Sequence, residues 1–353
     1  MSRFLNRNTR EITPYVPGEQ PKDKKFIKLN TNENPYPPSP LVMERIRNFA
    51  LEDLRLYPNS EGAIVKQAVA KYYGISEDEV FGGNGSDEVL AFIFKAFFDN
   101  TEKIAFPDIT YSFYPVYSGL FEIPCIKVPV RSDFSIDLSQ YPADLKGIIF
   151  ANPNAPTGIY IQRCEIEELL INRPDTLIIV DEAYIDFGGE SCVPLILKFD
   201  NLIVTQTLSK SRALAGQRVG LAMGCKQLMD GLVRVKDSFN SYPLDKIAQI
   251  AAEAAFIDAE YFNETRQRII KTRQWAQEEL LGLGVAATDS MANFLFVKIP
   301  GISGPEALLK LREEGILVRN FKDSKICDWL RITVGTQKAM EKLVEKIKKI
   351  IAG

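Results

Sequence analysis

Lys210 follows Ser209 at a strand end in TLSKSRALAGQRVG (207–220), and this lysine is the chain's best candidate for covalent chemistry. A lysine amine condenses with a carbonyl compound only when it is neutral, so it needs a shielded pocket. Asp181 closes an apolar run in TLIIVDEAYIDF (176–187), with Glu182 and Tyr184 just after it. A carboxylate at the C-terminal end of a parallel strand stands where open α/β sheets contact ligands. Paired with a pyridine nitrogen, it would keep that ring cationic and electron-accepting. In FGGNGSDEVL (81–90), glycines lead into a helix whose first residues include Ser86 and Asp87. Free amides at such a helix start suit an anion. No GKS or GKT follows, and Glu88 stands where a GxGxxG motif would need its third glycine, so this is neither a P-loop nor a dinucleotide fingerprint. FANPNAPTG (150–158) is a turn after a buried strand, and Arg331 in WLRITVG (329–335) opens a late strand, where its fork suits a carboxylate or phosphate.

Taken singly, each segment has a plain structural explanation. The lysine could belong to a polar surface loop, the aspartate could cap a helix, and the arginine could sit in a surface ion pair. The glycines and the turn could be no more than a capped helix and a chain reversal. Their order and joint presence instead describe one site, with an anion-binding helix start, a turn, an Asp-x-x-Tyr at a strand end, a Ser-Lys pair and a late arginine.

Composition narrows the chemistry further. The 353 residues carry a formal net charge of −3, with 46% hydrophobic and 25% charged residues, values of an ordinary globular protein of two or three domain-sized units. Nothing in this balance points to nucleic acid or to an anionic membrane. The chain has no histidine, which excludes Ser-His-Asp and Cys-His catalysis and every histidine-ligated metal. Any general base must be Lys, Tyr, Cys or a carboxylate. The five cysteines (125, 164, 192, 225 and 327) are scattered, as expected for reduced thiols in a cytoplasmic protein, and no metal site is expected. The polar start, MSRFLNRNTREITPY, has no apolar signal core, and no run reaches the roughly 18 apolar residues of a membrane-spanning helix.

These residues must be positioned by a sheet. Short apolar runs at 103–106, 123–130, 147–151, 176–181, 201–206 and 218–223 alternate with helical stretches such as 86–98 and 162–173. Continuous apolar strands between helices predict an α/β fold with a mostly parallel central sheet covered on both faces. Helical segments are also expected near 40–51 and 61–73. Residues 245–281 read as one or two long helices, and the strands 292–299, 315–319 and 331–335 and the helices 305–314 and 337–351 then predict a smaller α+β unit. The expected division is an N-terminal arm (1–38) packing with the small domain and the substrate site, a large domain (39–243) and a small domain (244–353).

With these residues in place, the chain resembles the fold-type I aminotransferases of the aspartate aminotransferase superfamily, and within them the histidinol-phosphate aminotransferases. The likeness rests on KLNTNENPYPPSP (28–40), LYPNSEGAIVKQAVAKYYG (56–74), GNGSDE (83–88), FPDITYSFYPVY (106–117), DEAYIDF (181–187), TLSKSRALAGQRVG and LRITVGT (330–336). It implies pyridoxal 5'-phosphate as cofactor, bonded to Lys210 as a Schiff base. Asp181 would pair with the pyridine nitrogen, Tyr184 would bond the phenolic oxygen and Tyr111 would stack on the ring. The phosphate would be held by the backbone amides of Ser86 and Asp87 with Ser209 and Arg218, and Gly85 and Thr207 join the same contact set. Tyr57 would reach the phosphate of a neighbouring subunit, implying a homodimer. Arg331 would take the carboxylate of glutamate or the phosphate of histidinol phosphate, and Tyr15, Asn32 and Arg319 would line the substrate end. The family pattern NPNNPTG departs here at Ala155, so either Asn154 makes the missing contact or Tyr184 carries it alone. The implied reaction passes an amino group from L-histidinol phosphate to 2-oxoglutarate, in histidine biosynthesis. An aromatic amino-acid aminotransferase and a threonine-phosphate decarboxylase are the alternatives within the scaffold. A non-catalytic regulator would need a DNA-binding helix-turn-helix, for which residues 1–38 are too short and too rich in proline.

Overall fold

The computed structural model describes residues 2–15, 18–20 and 26–352. Its main sheet has seven strands, in the order Val80–Asn84, Val219–Gly224, Leu202–Thr207, Leu177–Asp181, Gly147–Ala151, Ile104–Pro107 and Cys125–Val128. Neighbours from Leu202–Thr207 to Cys125–Val128 are parallel, whereas Val219–Gly224 runs antiparallel to both of its partners.

Side chains alternate along these strands and divide the core into two faces. Ile148, Phe150, Ile178 and Val180 join one buried cluster with Val65, Val69, Leu170, Ala251 and Ala252. Ile149, Leu177 and Ile179 join the other with Leu90, Ile93, Tyr114 and Leu232. Each fully buried aliphatic side chain contributes about 1.5–3 kcal/mol, so both helical layers are held firmly against the sheet. The helix Lys246–Ile257 belongs to the first cluster through Ala248, Ala251, Ala252 and Ala255.

The strand Val80–Asn84 was not among the expected ones, because Gly82 and Gly83 interrupt its apolar pattern. The structure gives the reason for glycine nearby. A Cβ on Gly220, which pairs with Gly83, would lie 2.3 Å from the backbone of Gly85 and Ser86. The close approach of this edge to the helix Gly85–Phe97 therefore excludes a side chain. The predicted helix at 40–51 stops at Arg47, with Ser39 as N-cap and Pro40 as first residue, and a short 3-10 turn, Leu51–Arg55, follows.

A second, antiparallel sheet has the order Arg319–Asn320, Leu330–Thr333, Phe294–Lys298 and Ala286–Ala287. The helices Ala259–Gly282, Gly304–Glu313 and Gln337–Ala352 cover it around Leu295, Val297, Leu311, Ile332 and Leu343. The arm joins this half through Ile27–Lys28, which pairs in parallel with Ile316–Leu317. Among the described residues, no helix is long and apolar enough to cross a membrane.

Candidate active site

Three neighbouring parallel strands come into register at the end of the middle one. Asp181 ends the middle strand, Ala151 lies opposite it on one side, and Thr205 lies opposite on the other. Asp181 is buried, and its carboxylate accepts hydrogen bonds from Tyr114 Oη at 2.9 Å, Thr205 Oγ1 at 3.3 Å and the Ala183 amide at 3.3 Å. Burial pushes its pKa up to about 6, and these donors only partly offset the rise. Among the described residues the carboxyl thus has neutral donors and no ion-pair partner, the environment that a protonated ring nitrogen would complete.

Lys210 lies in the loop after Leu202–Thr207. That loop is folded tightly by bonds from the Leu214 amide to the Leu208 carbonyl and from the Ala213 amide to the Lys210 carbonyl. The side chain of Asn34 donates to the carbonyls of Lys210 (2.9 Å) and Ser211 (3.1 Å). The lysine Nζ has one weak bond, to the Thr31 carbonyl at 3.3 Å. Burial, followed by the nearby Arg331, lowers its pKa to about 8. It therefore offers a substantial neutral fraction near physiological pH, as carbonyl chemistry requires.

An anion cup forms at the start of the helix Gly85–Phe97. The helix has no side-chain N-cap bond, and its first amides have no partner within the helix. Gly85 has φ +81°, and a Cβ there would lie 2.3 Å from the Arg218 guanidinium. Arg218 itself, at φ 53°, bonds Asp87 at 3.2 Å. Tyr111 Oη donates to the other Asp87 oxygen at 2.7 Å. Thr207 and Ser209, both buried, face each other with hydroxyls 3.0 Å apart. Gly85, Ser86, Asp87, Thr207, Ser209 and Arg218 thus converge from a helix start and two strand ends.

Tyr184 is buried against Phe294 and accepts a hydrogen bond from Asn32 Nδ2 at 3.0 Å. Arg331 and Arg319 are directly opposed across two antiparallel strands. Like charges so placed repel, which favours an anion between them. Arg331 Nε is buried with no hydrogen-bond partner, and burial lowers the guanidinium's pKa. An unpartnered buried donor of this kind costs stability unless a ligand supplies the acceptor. The Tyr15 ring lies tilted against Phe113 at 4.4 Å between centroids, and Phe113 in turn lies 5.4 Å from Tyr111.

Two residues stand apart from this assembly. Asn154 is buried, but its amide donates to the Ile109 carbonyl (2.9 Å) and Thr157 Oγ1 (3.2 Å), and its Oδ1 accepts from Thr110 (2.9 Å). Its polar atoms brace the turn. Tyr57 is 80% exposed and stacks on Tyr242 at 4.7 Å, on the outer surface of this chain.

Residues that sequence reasoning missed include Tyr114, Thr205, Asn34 and Thr333. Thr205 carried a signal, as the first polar residue after the apolar run Leu202–Val204. Tyr114 lies three positions after Tyr111, in the first turn of the helix Phe113–Leu120. Beneath the site, Glu182 is buried and accepts from Ser191 Oγ (2.6 Å), the Cys192 amide (2.6 Å) and Gln206 Nε2 (2.9 Å). Burial raises its pKa to about 7.

Known proteins share this architecture. The family model described as aminotransferase class I and II matches residues 24–347. The chain is 51% identical over 352 residues to a histidinol-phosphate aminotransferase of Clostridium acetobutylicum, covering 100% of both chains. It is 50% identical over 355 residues to histidinol-phosphate aminotransferase 1 of Bordetella parapertussis, again covering 100% of both. Among solved structures, histidinol-phosphate aminotransferase from Sinorhizobium meliloti in complex with pyridoxal-5'-phosphate superimposes with a TM-score of 0.90 at 23% identity, covering 100% of this chain and 98% of the other.

Proposed function

This chain belongs to the class I and II aminotransferases, and from that premise we propose that it moves an amino group from L-histidinol phosphate to 2-oxoglutarate with pyridoxal 5'-phosphate as cofactor. The observation that carries this reading is a lysine with a lowered pKa, set in the same site as two opposed arginines. Lys210 has a pKa of about 8, and Arg331 keeps a buried Nε without a partner.

The residues present fit the cofactor. The glycine-lined cup at Gly85, with the amides of Ser86 and Asp87 and the side chains of Thr207, Ser209 and Arg218, suits its phosphate. Asp181, buried without a cation, suits its ring nitrogen, Tyr184 suits its phenolic oxygen, and Tyr111 offers a ring face. Pyridoxal phosphate, when bound, supplies a Schiff-base carbon and an electron-accepting ring. Asp181 holds the proton on the ring nitrogen. Lys210 Nζ would take the proton from the substrate α-carbon and deliver it to the cofactor's Schiff-base carbon, acting first as base and then as acid. Arg331 and Arg319 hold the substrate anion, and the buried walls around Tyr184 and Phe294 exclude water.

Support for a homodimer comes from the exposed Leu51, Leu54, Leu56 and Tyr57 in one segment and the exposed Phe239 and Tyr242 in another, joined by the Tyr57–Tyr242 stack. In this reading Tyr57 serves the partner's cofactor phosphate. The seven-stranded sheet is the large domain, the four-stranded sheet the small one, and the arm links the small domain to the substrate end. The five unpaired cysteines suit the cytoplasm.

The test is an absorption spectrum of the purified protein, followed by addition of histidinol phosphate without an oxo acid. A visible band that is lost on addition supports cofactor and donor together. A band unmoved by histidinol phosphate but lost with phenylalanine would reassign the donor. No band after adding pyridoxal phosphate would overturn the cofactor reading.

A further inference from the structure

Asn32 lies in the left-handed region at φ 55° and is 1% exposed, although it comes from the N-terminal arm. Its backbone and side chain are both engaged. The backbone amide donates to Thr333 Oγ1 at 2.9 Å, and the carbonyl accepts from Asn293 Nδ2 at 3.0 Å. The side-chain Oδ1 accepts from the Thr333 hydroxyl at 3.1 Å, and Nδ2 donates to Tyr184 Oη at 3.0 Å.

We propose that Asn32 is a positioning residue that aims the Tyr184 hydroxyl proton into the pocket and ties that aim to the strand carrying Arg331. The proposal rests on the reading of Tyr184 as the contact to the cofactor's phenolic oxygen. An amide nitrogen can only donate, so the Tyr184 oxygen must accept from it. The phenol has one proton, and with Asn32 on its lone pair that proton is left for the pocket side. Accepting one hydrogen bond also polarises the phenol and makes it a stronger donor. The turn beside Tyr184 supplies no such partner. Ala155 is apolar and packs in one cluster with Tyr184, and the Asn154 amide is committed to Ile109 and Thr157.

The link to substrate binding follows from strand geometry. Arg331 and Thr333 are two residues apart on Leu330–Thr333 and face the same side. Thr333 clasps Asn32 twice, so the position of the strand sets the orientation of the amide. An anion drawn onto Arg331 loads the strand that holds Asn32, and by reciprocity the state of Tyr184 affects anion affinity. The charged groups acting on Tyr184 and Lys210 are Arg331, Asp181, Asp87, Glu33 and Arg218. Asn32 is uncharged, so its removal alters the phenol without altering this field directly.

The experiment uses the holoenzyme and reads the pH midpoint of its visible absorption band, with and without inorganic phosphate. Asn32→Gly is the main variant, because glycine accepts φ 55° without strain and keeps both backbone bonds. A weaker donor at the phenolic oxygen leaves more negative charge there to hold the proton on the lysine-linked nitrogen. The midpoint is therefore expected to rise by about 0.4 to 1 pH unit, the equivalent of one hydrogen bond. Tyr184→Phe should raise it at least as far, and adding Asn32→Gly to Tyr184→Phe should change nothing more. Thr333→Val should abolish the effect of phosphate on the midpoint, and Thr333→Ser should restore it. Additive shifts in the double variant, or an unmoved midpoint in Asn32→Gly, would overturn the relay while leaving Tyr184 at the cofactor. An unmoved midpoint in Tyr184→Phe would overturn both readings.

Discussion

At the scale of single residues, chemistry concentrates where burial and charge conflict. Lys210 is a base whose folded pKa lies below its ordinary value, so its amine is neutral above about pH 8. Replacing it, as in Lys210→Ala, removes both the covalent link and the proton carrier. Turnover should fall at least ~10²- to 10⁴-fold, the range for a lost acid–base group, while circular dichroism stays native. Retention of wild-type turnover would end the assignment. Asp181→Asn should lower turnover by on the order of 10²-fold, matching about 3 kcal/mol for a lost charge-assisted contact, and weaken cofactor retention. Stopped-flow half-reactions measure this directly, and an unchanged rate would place the proton-holding role elsewhere. These two residues were legible because Asp181 ends a continuous apolar run and Lys210 follows a serine just past a strand end. Tyr114 and Thr205 were harder to read. Their significance is a contact with Asp181 across 67 and 24 residues, which no local pattern encodes.

At the scale of elements, strand ends and helix starts do the positioning. The helix Gly85–Phe97 begins so close to Arg218 that Gly85 admits no side chain and holds a positive φ. Gly85→Ala should therefore destabilise the protein by about 1 kcal/mol or more and reduce its hold on the cofactor phosphate. Thermal melts and equilibrium dialysis with pyridoxal phosphate would check both, and a variant binding as tightly as wild type would move the phosphate site. Glu182 clamps two strand ends to the Ser191–Cys192 turn while its folded pKa rises from 4.5 to about 7. A carboxyl with a raised folded pKa binds protons more tightly in the native state. Its contribution is complete below pH 4.5 and is lost as pH climbs to 7. The melting temperature of the cofactor-free protein should thus fall across this window, and Glu182→Gln should flatten the fall. An identical slope in the variant would exclude Glu182 as the source. Most elements were legible from apolar runs and helical spacing. Val80–Asn84 was not, because its glycines answer to a neighbouring helix and not to the strand itself. The antiparallel course of Val219–Gly224 was equally hidden, since an apolar run carries no direction.

At the scale of the whole molecule, the described chain leaves an apolar surface at 51–57 and 239–242, with Phe239 79% exposed. Sedimentation should give twice the 39.7 kDa chain mass, and Leu54→Glu should shift the protein towards monomer with loss of activity. A wild-type monomer with full turnover would remove the partner subunit from the site. This surface could not be read from sequence, because exposed leucines become visible only once the fold decides which ones are left outside. The arm has a different consequence. Its strand Ile27–Lys28 and its residue Asn32 find their partners at Ile316–Leu317, Asn293 and Thr333, up to 301 positions later. On a ribosome adding about 5–20 residues per second, roughly 15–60 s separate the two ends. The arm strand therefore has to wait for these later residues before it can pair, and until then Lys210 lacks the settled Thr31 contact that the arm supplies.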